Sequence, residues 1–316
     1  MSQRKADAVL IMVTVFWGSS YLFMKTGLSS MGTFNLIALR FMIAFALTGL
    51  LFYHRLLRAD AGTLFRSFLL GINLLLVFTF IMFGLRSTST SHAGFLVSLT
   101  VIFVPILSSV FLHQRLKIKF WLGIGIALLG IGLLTLNRHF GVSEGDVYCI
   151  LGALFNAVYI LSADRFTKCV DSIALGVWQL GFTGLFAGIL SIFLETPKLP
   201  QTPEAWISVL GLGILCSAVG YIFQMVAQKF TTSVHAGLIF TLEPVFAAFF
   251  AYLFAGENLS ARGYIGACLV LLSVVISEMN IKKRRPSVSV RLKLLKIMAV
   301  ACRLNLFQKT LVHHDH

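Results

Sequence analysis

Glu243 stands about ten residues into the apolar stretch 234–255 and is followed directly by Pro244. An ionised carboxylate at the centre of a bilayer costs roughly 2.5–3.5 kcal/mol or more, so a chain keeps one there for a reason. It can bind a substrate amine, alternate between protonated and charged forms, or serve packing by pairing with a neighbour. Pro244 lacks a backbone donor, which lets the local helix kink and frees a carbonyl. Arg40, about seven residues into the stretch 33–54, stays charged at every working pH. It can hold a substrate carboxylate bidentately. Its alternative is to extend toward the nearer headgroups, about 10 Å of helix away.

Trp17 and Tyr21 are four apart and share one helix face beside Gly18, Ser19 and Ser20. An aromatic face can line a solute site or stack on a cation, or simply pack against a neighbouring helix. Trp178 has the same choice between a cavity and the aromatic belt of the membrane interface. Asn73, Asn156, Tyr159, Gln179 and Gln224 are uncharged polar groups at membrane depth. They are substrate-binding candidates whose competing role is interhelical hydrogen bonding. His92 and His235 are candidate gating or proton-sensing residues, with helix-end hydrogen bonding as the alternative.

These residues must be positioned by membrane helices. Of 316 residues, 58% are hydrophobic and 12% charged, about half the charged fraction of a soluble domain. Ten stretches reach or approach the about 20 apolar residues that span a bilayer as helix. They run 7–27, 33–54, 64–85, 91–112, 118–137, 146–163, 173–194, 205–227, 234–255 and 261–279, the sixth cut short by Asp164 and Arg165. The first lacks a small-residue cleavage site and reads as a retained helix. The expected fold class is therefore an all-α membrane protein of ten transmembrane helices.

The net charge of +14 raises nucleic acid as a partner. Its distribution excludes that, because Lys and Arg lie between apolar stretches and in one tail, with no basic stripe interleaved with stacking aromatics. Assigned to alternate sides, the side of the N-terminus receives eleven, from Arg4 and Lys5 to Lys229, and nine more in the tail. The other side receives Arg86, Arg138, Lys198 and Arg262, with Lys25 near it. The positive-inside rule then predicts both termini cytoplasmic. The run Lys282–Arg285 is a stop-transfer and anionic-lipid signal. Val290–Phe307 is read as an amphipathic surface helix or a disordered extension.

The chain also repeats itself. Arg86–Thr100 aligns without gaps on Lys229–Glu243 at an offset of 143 residues, pairing His92 with His235 and Thr100 with Glu243. An offset of 139 pairs Asp7 with Asp146, Phe16 with Phe155 and Arg40 with Gln179. Five helices per repeat is an odd number, so the halves enter the membrane in opposite senses, a mark of secondary transporters. The domains expected are a first five-helix repeat at 1–140, a second at 141–281, and a basic cytoplasmic tail at 282–316. Because inversion puts His92 and His235 near opposite ends of the bilayer, they cannot share a metal.

The sequence resembles an EamA-type member of the drug/metabolite transporter superfamily. The resemblance covers about residues 5–280. It rests on Phe16-Trp17-Gly18-Ser19-Ser20, on Leu39-Arg40-Phe41, and on His235-Ala-Gly with Leu242-Glu243-Pro244-Val245-Phe246. Gly256-Glu257-Asn258-Leu259 is similar to the family's Gly-Glu-Arg/Pro-Leu segment. In the first half His113-Gln114-Arg115-Leu116 stands where Glu-Arg-Leu is expected, and Val101 where Pro244 has its counterpart. The resemblance implies a secondary transporter of small organic solutes (metabolites, amino acids or drugs), frequently an exporter, in a bacterial cytoplasmic (inner) membrane. Proton coupling through Glu243 is an open reading. An enzyme acting on lipid-linked substrates is the alternative, and it calls for ionisable groups clustered at one interface. Here the deep polar groups are few and spread over both halves. No Walker loop, strand-framed glycine loop or metal-ligand spacing occurs, so no catalytic residue, cofactor or metal is expected. The five cysteines have no CxxC spacing and read as packing residues.

Overall fold

A computed structural model describes residues 1–87, 90–112, 118–135, 144–255 and 261–278, and the regular elements among them are all helical. The expectations for His113–Leu116, Gly256–Leu259, Cys302 and the tail 282–316 fall outside the described residues, as does the side chain of His92. α1 (Gln3–Leu28) and α2 (Thr33–Leu51) lead through the short α3 (Tyr53–Leu57) to α4 (Ala61–Ser87). α5 (Thr90–Ser98) and α6 (Thr100–Leu112) share one apolar run and precede α7 (Ile118–Thr135), α8 (Glu144–Phe166) and α9 (Ser172–Leu194). Next come α10 (Pro203–Leu210), a π-helical segment Gly211–Val219 and α11 (Gly220–Gln228). α12 (Ser233–Ile239), a 3-10 turn Phe240–Leu242 and α13 (Glu243–Ala255) follow, then α14 (Ala261–Glu278).

Seven of the described helical runs are long and apolar enough to cross a membrane, and Leu96–Val110, Trp121–Leu133 and Ala261–Val270 are shorter apolar helices. Leu50, Phe65, Ile192 and Phe193 are 77, 63, 68 and 80% exposed. Leaving such side chains in water forgoes roughly 25 cal/mol per Å² of apolar surface, a loss that lipid removes. The sixth stretch does not stop at Asp164: α8 continues to Phe166. Lys168, one turn on, donates to Asp164 Oδ1, so the carboxylate is neutralised locally and the helix need not end there.

Helices of the chain's first half pack chiefly on helices of its second half. α2 lies along α9, α4 lies against α8 and α9, and α1 lies against α11, the π segment and α13. Packing is close at Gly130, where a Cβ would come within 2.7 Å of Gly266 O. The cysteines divide. Cys149 and Cys216 are buried as expected, whereas Cys169 and Cys268 are exposed.

Side chains from distant segments tie down the helix ends. Asp171 Oδ1 accepts from Ile173 N (3.1 Å) and Ala174 N (2.8 Å) at the start of α9, while Oδ2 accepts from Arg55 Nη1 of α3 (2.8 Å). Glu195, beyond α9, accepts from Phe34 N (3.2 Å) and Asn35 N (2.9 Å), supplying the N-terminus of α2 with the acceptor that Gly32 lacks. Asp60 does the same for α4, accepting from Thr63 N at 3.1 Å. The Thr63 hydroxyl and amide hold the Asp60 carboxyl below its usual range. Asp60→Ala should cost about 1 kcal/mol, read as a lower Tm in detergent at pH 7. A carboxyl with a depressed folded pKa stabilises above its unfolded value, so the gap from wild type should shrink as pH falls below about 4.

Candidate functional site

Two helix breaks define the site. Proline at 244 withholds its backbone donor, and helix gives way to the 3-10 turn Phe240–Leu242 before resuming at Glu243. In the first repeat α5 ends at Ser98 and α6 begins at Thr100, without a proline at that point. There the Thr100 hydroxyl donates to Val97 O (2.7 Å) and to Ala153 O of α8 (3.1 Å). Thr100 and Glu243 are the pair aligned by the 143-residue offset.

Both residues line one cavity, with Asn156 of α8 and with Gly237, Phe240 and Thr241 from α12 and the turn. Its volume is about 10 Å³, room for one water. Asn156 Nδ2 donates to Thr100 Oγ1 at 3.4 Å. Glu243 is partly exposed into this space, and the 3% exposed Tyr21 side chain of α1 lies beside its carboxylate. Trp17, one turn before Tyr21, anchors its indole by donating Nε1 to Cys216 O of the π segment (3.0 Å). Its ring packs on Tyr221 and Phe240 with centroids 5.3 and 5.1 Å apart. The structure thus gathers Glu243, Tyr21, Trp17 and Asn156 around one seam between the repeats.

Arg40, Tyr159 and Gln179 form a second group beside it. The Arg40 side chain is 1% exposed, so it points into the bundle and not toward headgroups. Its Nε donates to Ser217 Oγ of the π segment (3.0 Å), and its guanidinium lies 4.2 Å over the Phe78 ring and 4.9 Å over Phe41. Such cation–π contacts offset part of the desolvation of a buried charge. Nη1 has no hydrogen-bond partner among the described residues, nor has Nε2 of Gln179. Gln179 Oε1 accepts from the Tyr159 hydroxyl at 3.1 Å. Tyr221 joins the groups, its ring meeting Trp17, Phe41 (5.9 Å), Phe78 (6.4 Å) and Tyr159 (5.9 Å).

The remaining candidates sit apart. Asn73 bridges α4 to α8, its amide nitrogen donating to Phe155 O (3.1 Å) and its oxygen accepting from Tyr159 N (3.2 Å). Gln224 Nε2 donates to Gln228 Oε1 (3.2 Å), and Gln228 in turn donates to Ile160 O (2.7 Å). Trp178 packs on Phe45 and Phe182, with Nε1 3.5 Å from Leu56 O, near the α9 end that Asp171 caps. His235, near the start of α12, faces Asp7 of α1. An open cavity of about 490 Å³ lies at the face opposite the start of the chain, lined by Gly32, Phe34, Phe83, Arg86, Glu195 and Lys198 among others.

Ser217 and Tyr221 were not foreseen, and they differ in how visible they are. Nothing in the composition of Gly211–Val219 marks Ser217, which matters because the π-helical widening turns it toward Arg40. Tyr221 does carry a signal. It lies 143 residues after Phe78, and two residues related by the repeat that touch each other must lie where the halves meet.

A bundle of long apolar helices with lipid-exposed faces and a polar seam inside is a polytopic membrane protein. The chain belongs to the EamA-like transporter family, whose model matches residues 4–136 and again 143–279. A protein of Archaeoglobus fulgidus named "Uncharacterized transporter" is 29% identical over 282 residues, covering 87% of this chain and 86% of that one. "Uncharacterized transporter YoaV" of Bacillus subtilis is 23% identical over 289 residues, covering 87% and 97%. A crystal structure aligns with a TM-score of 0.76 at 20% identity, covering 88% of this chain and 98% of its own. That likeness speaks to the fold. The protein is a membrane transporter.

Proposed function

We propose that the protein is a secondary transporter of ten helices in two inverted five-helix repeats, moving small organic solutes by alternating access around the Glu243 cavity. Export of metabolites, amino acids or drugs across a bacterial cytoplasmic membrane is the direction favoured by the family resemblance. Both termini are cytoplasmic in this reading, and the basic tail lies against anionic lipid. The observation that carries it is the convergence of Thr100 and Glu243, repeat-related and each at a helix break, on one small cavity. Broken helices at a repeat interface expose backbone groups and side chains to a solute at mid-depth, and rocking of one half against the other opens the site to each side in turn. With room for about one water, the cavity must enlarge to take any organic solute.

Two chemistries meet at the seam. Glu243, beside Tyr21, offers a negative charge for a substrate amine or a site for a coupled proton. Arg40 Nη1 and Gln179 Nε2 offer buried donors to an acceptor on the solute, such as a carboxylate. Family membership favours transport over chemistry on lipid-linked substrates.

The test is counterflow of a labelled solute panel in proteoliposomes at two pH values. Wild type should move at least one amine-bearing or zwitterionic solute with a pH-dependent rate. Glu243→Gln keeps the shape and the Tyr21 contact while removing the charge. It should lower the rate at least about 30-fold, the equivalent of roughly 2 kcal/mol for a charge-assisted contact, and flatten the pH dependence. Full rate with unchanged pH dependence would falsify the carboxylate's role. Reporter fusions that put the termini on opposite sides would sink the inverted repeat.

A further inference from the structure

His235 Nε2 lies 3.2 Å from Asp7 Oδ1, and the two residues are 1% and 6% exposed. Asp7 belongs to α1 and His235 to α12, so the contact joins the two segments that match the family model, 4–136 and 143–279. His235 precedes Glu243 by eight residues, about 12 Å of helix. Asp7 lies about 6 Å inside the start of α1. The pair therefore sits between the face at which the chain begins and the Glu243 cavity, on the helix run that also carries Glu243.

We propose that Asp7 and His235 form a latch that closes the cavity toward the face where the chain begins and parts when Glu243 is exposed to that face. The inference rests on the alternating-access reading of the Glu243 cavity. Its geometry is that of a switch more than a staple. Thr232 Oγ1 caps α12 by accepting from His235 N (3.3 Å), which sets the imidazole in place. The Nε2–Oδ1 approach is not aligned as a hydrogen bond, and Nδ1 has no partner among the described residues. With no hydrogen bond between them, two buried polar side chains that have both given up hydration gain little net stability from the contact. Such a contact is cheap to break if water enters as it parts. Other charges on the helices packed against α12 do not compete: Arg4, Lys5, Lys25, Glu144 and Arg165 are exposed, Asp164 is held by Lys168, Asp146 lies at the far end of α8, and Thr100–Leu112 carries none. The repeat places Asp146 in the position of Asp7 near the other face, and it is also buried (4%).

Removing one partner leaves the other buried and without a polar neighbour only while the mouth is closed, so the population shifts toward the form open at that mouth. The test is hydrogen–deuterium exchange on the full-length protein in nanodiscs, comparing wild type, Asp7→Asn, His235→Gln and the exchange variant Asp7→His with His235→Asp. Each single variant should speed exchange over residues 229–240 by about fivefold or more and slow it over 28–36, at the opposite mouth. The exchange variant should return both segments toward wild type. Unchanged exchange over 229–240 overturns the latch. Faster exchange at both mouths also overturns it, because that is general loosening of the fold. An exchange variant as open as the singles does so too. If one single variant fails to fold, the other single and the exchange variant decide. Exchange is read without solute, so a failed latch and a failed transport assignment remain distinguishable.

Discussion

Gly18→Leu gives no monodisperse transporter, and Gly18→Ala gives one with a Tm lower by on the order of 5 °C and impaired transport. A Cβ built on Gly18 would stand 2.6 Å from Phe246 Cβ and 2.9 Å from both Phe246 C and Ala247 N. Two of those three atoms are backbone, so no rotamer change relieves the clash and α1 must move away from α13. Restoring ordinary contact needs a shift of roughly 0.8 Å for a single methyl, in the range where overpacking costs about 1–3 kcal/mol. A leucine adds three more heavy atoms to the same gap. The shift also reaches the chemistry, because Tyr21 lies one turn beyond Gly18 and Glu243 one turn before Phe246. Size-exclusion profiles and thermal melts in detergent check the first half of this expectation, and counterflow checks the second. A Gly18→Ala protein with wild-type Tm and transport would mean that the α1–α13 approach is looser than the 2.6 Å contact implies.

Arg40→Met should separate folding from function in the opposite way. Methionine fills much of the arginine volume and removes both the charge and the unpartnered Nη1. Apolar replacement of a buried charge is often neutral or stabilising, so the Tm should hold or rise despite the lost Ser217 bond. Transport should fall at least about 30-fold, because the buried donor offered to a solute acceptor is gone and a charge-assisted contact is worth roughly 2 kcal/mol. Arg40→Lys keeps the charge. It gives up the planar guanidinium that stacks over Phe78 and the Nε that meets Ser217, and a point-charge ammonium replaces neither. It should show intermediate transport and a lower Tm. If Arg40→Met transported at the wild-type rate, Arg40 would be a packing residue and Gln179 would lose its partner in solute recognition.

How much of the site was legible depends on the kind of signal each residue leaves. Glu243 and Arg40 stand out because charge inside an apolar stretch is costly wherever it occurs, and both lie at the seam. Trp17 and Tyr21 were paired by helical spacing, and both turn toward the second repeat. Spacing could not separate their roles, since Trp17 is fastened to Cys216 O while Tyr21 lies beside Glu243. Trp178 has the same residue type and a similar depth, yet it packs near the capped end of α9. Asp164 cuts the sixth apolar stretch short, and Lys168 neutralises it where α8 runs on to Phe166. Asp7 entered only as an alignment marker, and its meeting with His235 depends on two helices about 230 residues apart in the chain.

Composition and one-dimensional pattern gave the solvent and the helical class, together with an expected orientation and an expected repeat. Bilayer thickness, the cost of bare backbone in lipid and the distribution of Lys and Arg act on each segment alone, so they can be read from one strand of text. Contacts between segments belong to another category. Which faces of α1, α12 and α13 touch, how the π segment turns Ser217 toward Arg40, and that Thr100 and Glu243 share a cavity all follow from close packing among helices. Side-chain volumes and glycine gaps across long sequence separations set that packing jointly. The one bridge between the two levels was the repeat. It named Thr100 as the counterpart of Glu243 before any contact was known, and the fold brought the two into the same space.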